Sequence, residues 1–251
     1  MNMNEIVRAG QLASTFEIVA HPKPGNVHRE ADLKDETFEQ FIAGAVVIGP
    51  TLRRAVKGGL DIGRGKIKAS NVGVGELIKD GVKSTKAWIG KNTNLGVLML
   101  LIPLTIAAGI TTGKEPKFKI KNLRKNLSNV LKSTDSRDAL DVYDAILIAE
   151  AGGLGEVDEL SVEEESSKER IESENISLYD IMKISSDWDT ISKEWITDMQ
   201  ITFEEGFPLL KKFYRKKEDL NTAVVQTFLK ILSDHPDSLV KRKFGKDITK
   251  K

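Results

Sequence analysis

Apolar residues recur along this chain mostly three and four positions apart, the period of one face of an α-helix. Ile6, Ala9, Leu12, Ala13, Phe16, Val19 and Ala20 form the first such stripe. His21-Pro22-Lys23-Pro24-Gly25 ends it, because two prolines and a glycine cannot continue a helix. Phe38, Phe41, Ile42, Ala45, Val46, Gly49 and Leu52 predict a second helix, with Asp35 as its N-cap. The Gly-rich, basic stretch 57–75 reads as a loop, and a third helix is expected from Glu76 to Trp88. Leu95 to Ile110 carries no charge. It falls short of the roughly 20 apolar residues of a membrane span and contains Pro103, so a buried central helix, kinked at the proline, is expected there.

The same period continues through Ile120–Leu131 and then through Ala139, Leu140, Tyr143, Ile146 and Leu147. Ser133 or Thr134 is the expected cap of that second stretch, and Gly152-Gly153 its stop. Further helices are expected around Leu178–Trp188, Ile191–Phe203 and Leu220–Leu232, with Pro208 interrupting before the last. Alternating runs bounded by hairpin turns are absent, and so is any repeat of 20 to 50 residues. The reading is an all-α fold: a single multi-helix globular domain over 1–251, built around the buried apolar helix. The acidic, serine-bearing segment 156–175 reads as a mobile excursion.

Charge narrows the partners. Lys plus Arg (38) nearly cancels Asp plus Glu (37), which gives no footprint for nucleic acid or an anionic membrane. The chain has no cysteine, which excludes disulfides, thiolate metal sites and a cysteine nucleophile. The opening MNMNEIVRAG lacks the basic-then-apolar pattern of a signal peptide, so a cytoplasmic location is expected. His21, His28 and His235 lack metal-site spacing and read as structural or solvent-facing. No Walker A loop, dinucleotide fingerprint or serine elbow is present.

Chemistry is concentrated in four polar turns at helix ends. Glu17 leads into Pro22-Lys23-Pro24-Gly25-Asn26 and Arg29, which is either a rigid anion clamp or a tight interhelical turn. Asn92-Thr93-Asn94 opens the apolar helix, as a ligand-facing helix N-terminus or as an ordinary cap. Arg137, Asp138, Asp141 and Asp144 form an acidic helix face that either holds Mg²⁺ through water or is solvated. Asp237-Ser238 with Arg242 lies in a mixed, basic C-terminal segment.

Together these segments resemble the triphosphoribosyl-dephospho-CoA synthase family. Glu17 with Pro22-Lys23-Pro24-Gly25 and Arg29 is similar to the family's Glu followed by Pro-Lys-Pro-Gly-Leu-Val-Asp-Arg. Asn92-Thr93-Asn94-Leu95-Gly96 with Ala107-Ala108-Gly109 resembles its Asn-Thr-His-Lys-Gly and trailing Ala-Ala-Gly. Gly152–Glu156 and Asp237-Ser238 with Arg242 are similar to two weaker family motifs, in the same order. The chain departs from the pattern where Asn94-Leu95 replaces His-Lys and Leu154 replaces an Arg.

The resemblance implies an all-α transferase that joins the ribose C1′ of ATP to the 2′-hydroxyl of 3′-dephospho-CoA and releases adenine. It implies Glu17, Asp138 and Asp141 as base or metal ligands, with Mg²⁺ on Asp138 and Asp141. Lys23, Gly25, Asn26, Arg29, Asn92, Thr93, Asn94, Arg137, Asp237 and Arg242 are implied to bind the nucleotide. The expected partners are small molecules, without nucleic acid or membrane, and a homodimer is admissible. Two alternatives stay open: a related phosphoribosyl-type transferase for another cofactor such as a pterin, and a nucleotide-binding helical module without catalysis.

Overall fold

The computed structural model describes residues 1–32, 36–115, 117–152 and 159–244. These residues form helices and no strand, as the periodicity requires; an isolated bridge pairs His28 with Ala31. The first half is a bundle: α1 (Met3–Val19), α2 (Phe38–Val47), α3 (Gly49–Gly63), α4 (Val74–Ile89), α5 (Leu95–Lys114), α6 (Ile120–Lys132) and α7 (Ser136–Ala149). A 3₁₀ turn at Ala69–Asn71 lies between α3 and α4. The second half adds α8 (Glu165–Ser173), α9 (Leu178–Ser185), α10 (Thr190–Ile196), a π turn at Ile201–Gly206, α11 (Phe207–Lys217), α12 (Leu220–Asp234) and α13 (Ser238–Phe244).

The apolar helix α5 is the centre, touching α1, α3, α4, α6, α7 and α10. It is long and apolar enough to cross a membrane, yet most of its apolar window is buried inside the protein. Its tightest neighbour is α3. A Cβ on Gly59 would lie 2.1 Å from the Ile106 carbonyl oxygen, and one on Gly109 would lie 2.5 Å from that of Val56. Only glycine lets the two backbones approach this closely.

Several local readings change. The second apolar stripe is two helices, because Pro50 sits in the first turn of a new one at Gly49. Asp35 lies outside the described residues; Thr37 is the N-cap of α2, and its N–H donates to Gln40 Oε1 at 2.9 Å. The stretch 57–75 is a connection only over 64–73, with a 3₁₀ turn inside it, and α4 already begins at Val74. α3 runs on to Gly63, and its apolar face there (Gly59, Leu60) packs on α5. α7 is capped by Asp135 rather than Ser133 or Thr134, and it ends at Ala149 with Glu150 in the left-handed region (φ 51°). Within the acidic stretch, 165–173 is the docked helix α8, held by fully buried Ile171; positions 156–158 lie outside the described residues.

Pro103 does not break α5. A proline has no N–H to give the carbonyl four residues earlier, here Met99. The indole Nε1–H of buried Trp195 donates to the Met99 oxygen at 3.0 Å instead, and this seats α10 on α5. Pro50 likewise frees the Val46 carbonyl. The side-chain amide of Gln11 supplies the donor, with its Nε2 at 2.9 Å from the Val46 oxygen.

Candidate active site

A cleft of about 1760 Å³ opens between the first-half bundle (α1, α2, α4, α5 and α7) and the helices α9 to α13. Its walls are mainly apolar, with Phe16, Leu95, Met99, Ile181, Phe228 and Leu239 among them. Polar groups enter at several places, among them Glu17 from α1, Lys86 from α4, Lys91 and Asn92 from the turn before α5, and Asp189, His235 and Asp237 from the second half. The volume exceeds the roughly 300–1,000 Å³ of a site for one small ligand.

Glu17 is the best-supported carboxylate on this wall. α1 ends two residues beyond it, and the Pro-Lys-Pro-Gly turn folds back beneath it. The Lys23 side chain is fully buried, and its ammonium bonds both the Glu17 carboxylate and the Glu17 carbonyl oxygen. Asn26 Nδ2 donates to the same carboxylate oxygen at 3.0 Å. The Phe228 ring lies 5.7 Å from the ammonium, and Asn221 holds the His21 backbone N–H (3.0 Å) and carbonyl (2.9 Å). Lys23 therefore does not stand in an exposed clamp. It is spent on fixing Glu17, whose side chain keeps half its surface open. Gly25 turns the chain at φ 76°, and Arg29 points to solvent beside Glu30, 4.0 Å away, off the cleft.

The turn before α5 is also reassigned in part. Asn92 lines the cleft, and its Oδ1 accepts the N–H of Leu95 at 3.0 Å and that of Asn94 at 3.3 Å, so it caps α5. Thr93 and Asn94 are buried beneath α2 at Gly44, and Asn94 Nδ2 donates to Thr85 Oγ1 at 3.1 Å. These two residues set the helix start rather than face a ligand. Leu95 and Lys91 do face the cleft; Lys57, Lys66 and Lys68 do not.

The acidic face of α7 lies elsewhere. Asp138 is buried and accepts the Gly75 N–H at 2.8 Å and the Asp135 N–H at 3.1 Å, tying α7 to the start of α4. Burial pushes its carboxyl above the usual range, against the pull of those two bonds. Asp141 pairs with Lys79, and exposed Arg137 pairs with Asp135 at 2.9 Å. The expectation of Mg²⁺ on Asp138 and Asp141 does not fit this geometry, since their oxygens already bond backbone N–H groups and an ammonium. Among the described residues no cluster of three His, Asp or Glu is arranged around a metal.

Asp237 lines the cleft while capping α13, accepting the N–H groups of Leu239 (2.8 Å) and Val240 (2.9 Å). Gly152 reaches the cleft; 153–158 and the Arg242 side chain lie outside the described residues.

Cleft groups that the sequence reading did not assign to the site include Tyr143, Glu194 and His235. The Tyr143 hydroxyl donates to Leu160 O at 2.6 Å, and burial pushes its pKa up to about 12. Glu194 is buried and accepts the N–H groups of Ile201 (2.8 Å) and Thr202 (3.3 Å); burial raises it above the ordinary carboxylate range. Of these only His235 gave a sequence signal, as one of three histidines.

The family model for CitG, ATP:dephospho-CoA triphosphoribosyl transferase, matches residues 3–251. The chain belongs to this family. It is accordingly a transferase, and the family match spans the motifs at Glu17, Asn92 and Asp237 alike. The crystal structure of an Archaeoglobus fulgidus protein described as a triphosphoribosyl-dephospho-CoA synthase superposes with a TM-score of 0.64 at 24% identity, covering 85% of this chain and 78% of that one. At that identity the likeness speaks for the all-α fold. No curated protein matches the chain.

Proposed function

We propose that the cleft binds ATP and 3′-dephospho-CoA together and that Glu17 performs the transfer between them. The observation that carries this reading is the Glu17–Lys23–Asn26 cluster: one carboxylate, fixed by a fully buried ammonium and an amide, presented on the wall of a cleft of about 1760 Å³. That space suits two nucleotide-sized substrates side by side, and its apolar walls suit purine rings and an extended pantetheine arm.

In the proposed reaction the 2′-hydroxyl of dephospho-CoA attacks the ribose C1′ of ATP. Glu17 takes the hydroxyl proton, and its negative charge favours the oxocarbenium-like centre that develops at C1′. Lys23 and Asn26 are positioning residues, because they act through Glu17. Lys91, on the cleft wall just before α5, faces the triphosphate. Mg²⁺ enters as part of the ATP substrate, because magnesium is commonly held through substrate phosphates rather than in an all-protein cage.

The test is direct. The pure chain is incubated with Mg·ATP and 3′-dephospho-CoA, and free adenine is followed by chromatography. Adenine release that requires dephospho-CoA supports the proposal; its absence with this acceptor, or release with another acceptor alone, overturns it. Glu17→Gln should lower the rate by about 10²–10⁴-fold while the protein stays folded.

A further inference from the structure

The reaction above supplies a base for the attacking hydroxyl but no acid for the departing adenine. Adenine leaves C1′ with the electron pair of the C1′–N9 bond and becomes a neutral base only on gaining a proton. Among the described residues that line the cleft, His235 is the one histidine, and imidazole is the side chain most ready to give a proton near neutral pH. It closes the C-terminus of α12, and its Nε2 lies 2.9 Å from Glu205 Oε2 on the π turn. A carboxylate only accepts, so Nε2 carries its hydrogen and Nδ1 is the nitrogen left for the transferable proton. The histidine side chain is 22% exposed, shielded yet open to the cleft.

The surroundings favour this assignment. Tyr143 gives its hydroxyl hydrogen to Leu160, and Glu194 is occupied by two backbone N–H groups. Those two amides, Ile201 and Thr202, begin the π turn that carries Glu205, so buried Glu194 fixes the turn from below. π segments are rare and gather at functional sites. His235 also stands on the helix that bears Phe228, whose ring faces Lys23 of the Glu17 cluster. Seven residues of helical rise separate Phe228 from His235, about 10 Å along the axis. Base and acid thus line one cleft, Glu17 from α1 and His235 from the end of α12.

The geometry points to His235, oriented by Glu205, as the general acid that protonates adenine as it leaves. This rests on the proposed reaction, in which adenine is the leaving group. The balance closes without another reactant. A lone pair of the 2′-oxygen forms the C1′–O bond, and the hydroxyl proton passes to Glu17. The C1′–N9 pair moves onto adenine, and the proton on His235 Nδ1 passes to a purine nitrogen. The charged groups around the imidazole are Glu205 on the π turn, Glu194 on α10, Asp234 with its partner Lys230 on α12, and Asp237 in the turn that follows.

The experiment measures adenine release from Mg·ATP and 3′-dephospho-CoA between pH 5.5 and 9, for the wild-type chain and for His235→Asn, His235→Gln and Glu205→Gln. Wild-type kcat is expected to fall on the alkaline side as the acid loses its proton. Both His235 variants should lower kcat by about 100- to 1000-fold, leave KM for ATP within about threefold, and lose the alkaline fall. Glu205→Gln should lower kcat by about 10- to 100-fold with KM for ATP little changed, because the imidazole loses the carboxylate that orients it. A purely structural role would change the melting temperature and leave the pH profile in place. Wild-type kcat in a folded His235 variant, or an alkaline fall that persists in both, overturns the assignment. If one His235 variant fails to fold, the other and Glu205→Gln, which alters a partly exposed carboxylate, decide it. A wild-type chain that releases no adenine overturns the proposed reaction itself, an outcome distinct from an active wild type whose His235 variants match it.

Discussion

A lysine between two prolines looks, in sequence, like a solvent-facing cation, but Lys23 is among the most buried side chains of the molecule. Its ammonium and the Glu17 carboxylate form a half-exposed ion pair, and such pairs are worth less than fully buried ones. Lys23→Met should therefore cost only about 1–2 kcal/mol of stability by urea unfolding. It should slow adenine release by about a hundredfold, because the carboxylate loses its fixed position. Unchanged kcat in a folded Lys23→Met protein would remove the positioning role. Leu95 stands where the Asn-Thr-His-Lys-Gly motif that this turn resembles has its lysine, and its side chain lines the cleft while it packs on the core edge. Leu95→Lys should fold, because the ammonium can reach the cleft, and should tighten Mg·ATP binding by about tenfold, the scale of one charge-assisted hydrogen bond. Calorimetric titration decides it: a folded variant with unaltered affinity places this position outside the phosphate site.

Between elements, both prolines at 50 and 103 are accommodated by a donor borrowed from another helix. Gln11 of α1 serves Val46, and Trp195 of α10 serves Met99. Trp195→Phe leaves the Met99 carbonyl without its indole partner and should cost about 2–4 kcal/mol from the lost bond and altered packing. In a Pro103→Ala background the restored backbone N–H serves Met99 directly, so the Trp195→Phe penalty should shrink by about 1 kcal/mol. A double-mutant cycle by urea unfolding reads this coupling; additive losses would show that the indole bond does not answer the proline. The α3–α5 contact gives a second test. Gly109→Ala would place a methyl 2.5 Å from the Val56 carbonyl oxygen and should cost about 1–3 kcal/mol through overpacking, read as a lowered urea midpoint.

For the whole molecule, the buried carboxyls of Asp138 and Glu194 make stability depend on pH. Burial raises both above their ordinary values, although backbone N–H bonds oppose the rise. A raised acid binds its proton more tightly in the folded state, so its contribution is full below the unfolded pKa and is lost as pH rises through the folded one. Asp138→Asn removes the charge that must be buried at neutral pH and keeps an acceptor for the Gly75 N–H. Its stability relative to wild type should therefore improve between about pH 3.5 and pH 7. Urea unfolding at the two pH values checks the sign; a stability difference independent of pH would show that this carboxyl does not titrate with folding.

What the sequence determined by itself is what depends on near neighbours. Apolar spacing specified the helical faces, α5 as the buried centre, and the stop at Pro22–Gly25, since period and backbone constraint are local properties. The order of Glu17, the Pro-Lys-Pro-Gly turn, Asn92 and Asp237 carried the family likeness, and each of these lies on or beneath the wall of one cleft. Tertiary structure alone decided which polar groups remained for chemistry, because that depends on partners distant in the chain. Asp138 is spent on Gly75, 63 residues away, and Asn94 is closed under α2. Lys23 turned inward to Glu17 because Phe228 and Asn221 of α12 close over its turn. His235 gained Glu205 only because a π turn, held by Glu194, brought the carboxylate to it. A side chain's chemistry follows from what desolvates and binds it, and a linear pattern does not carry that information.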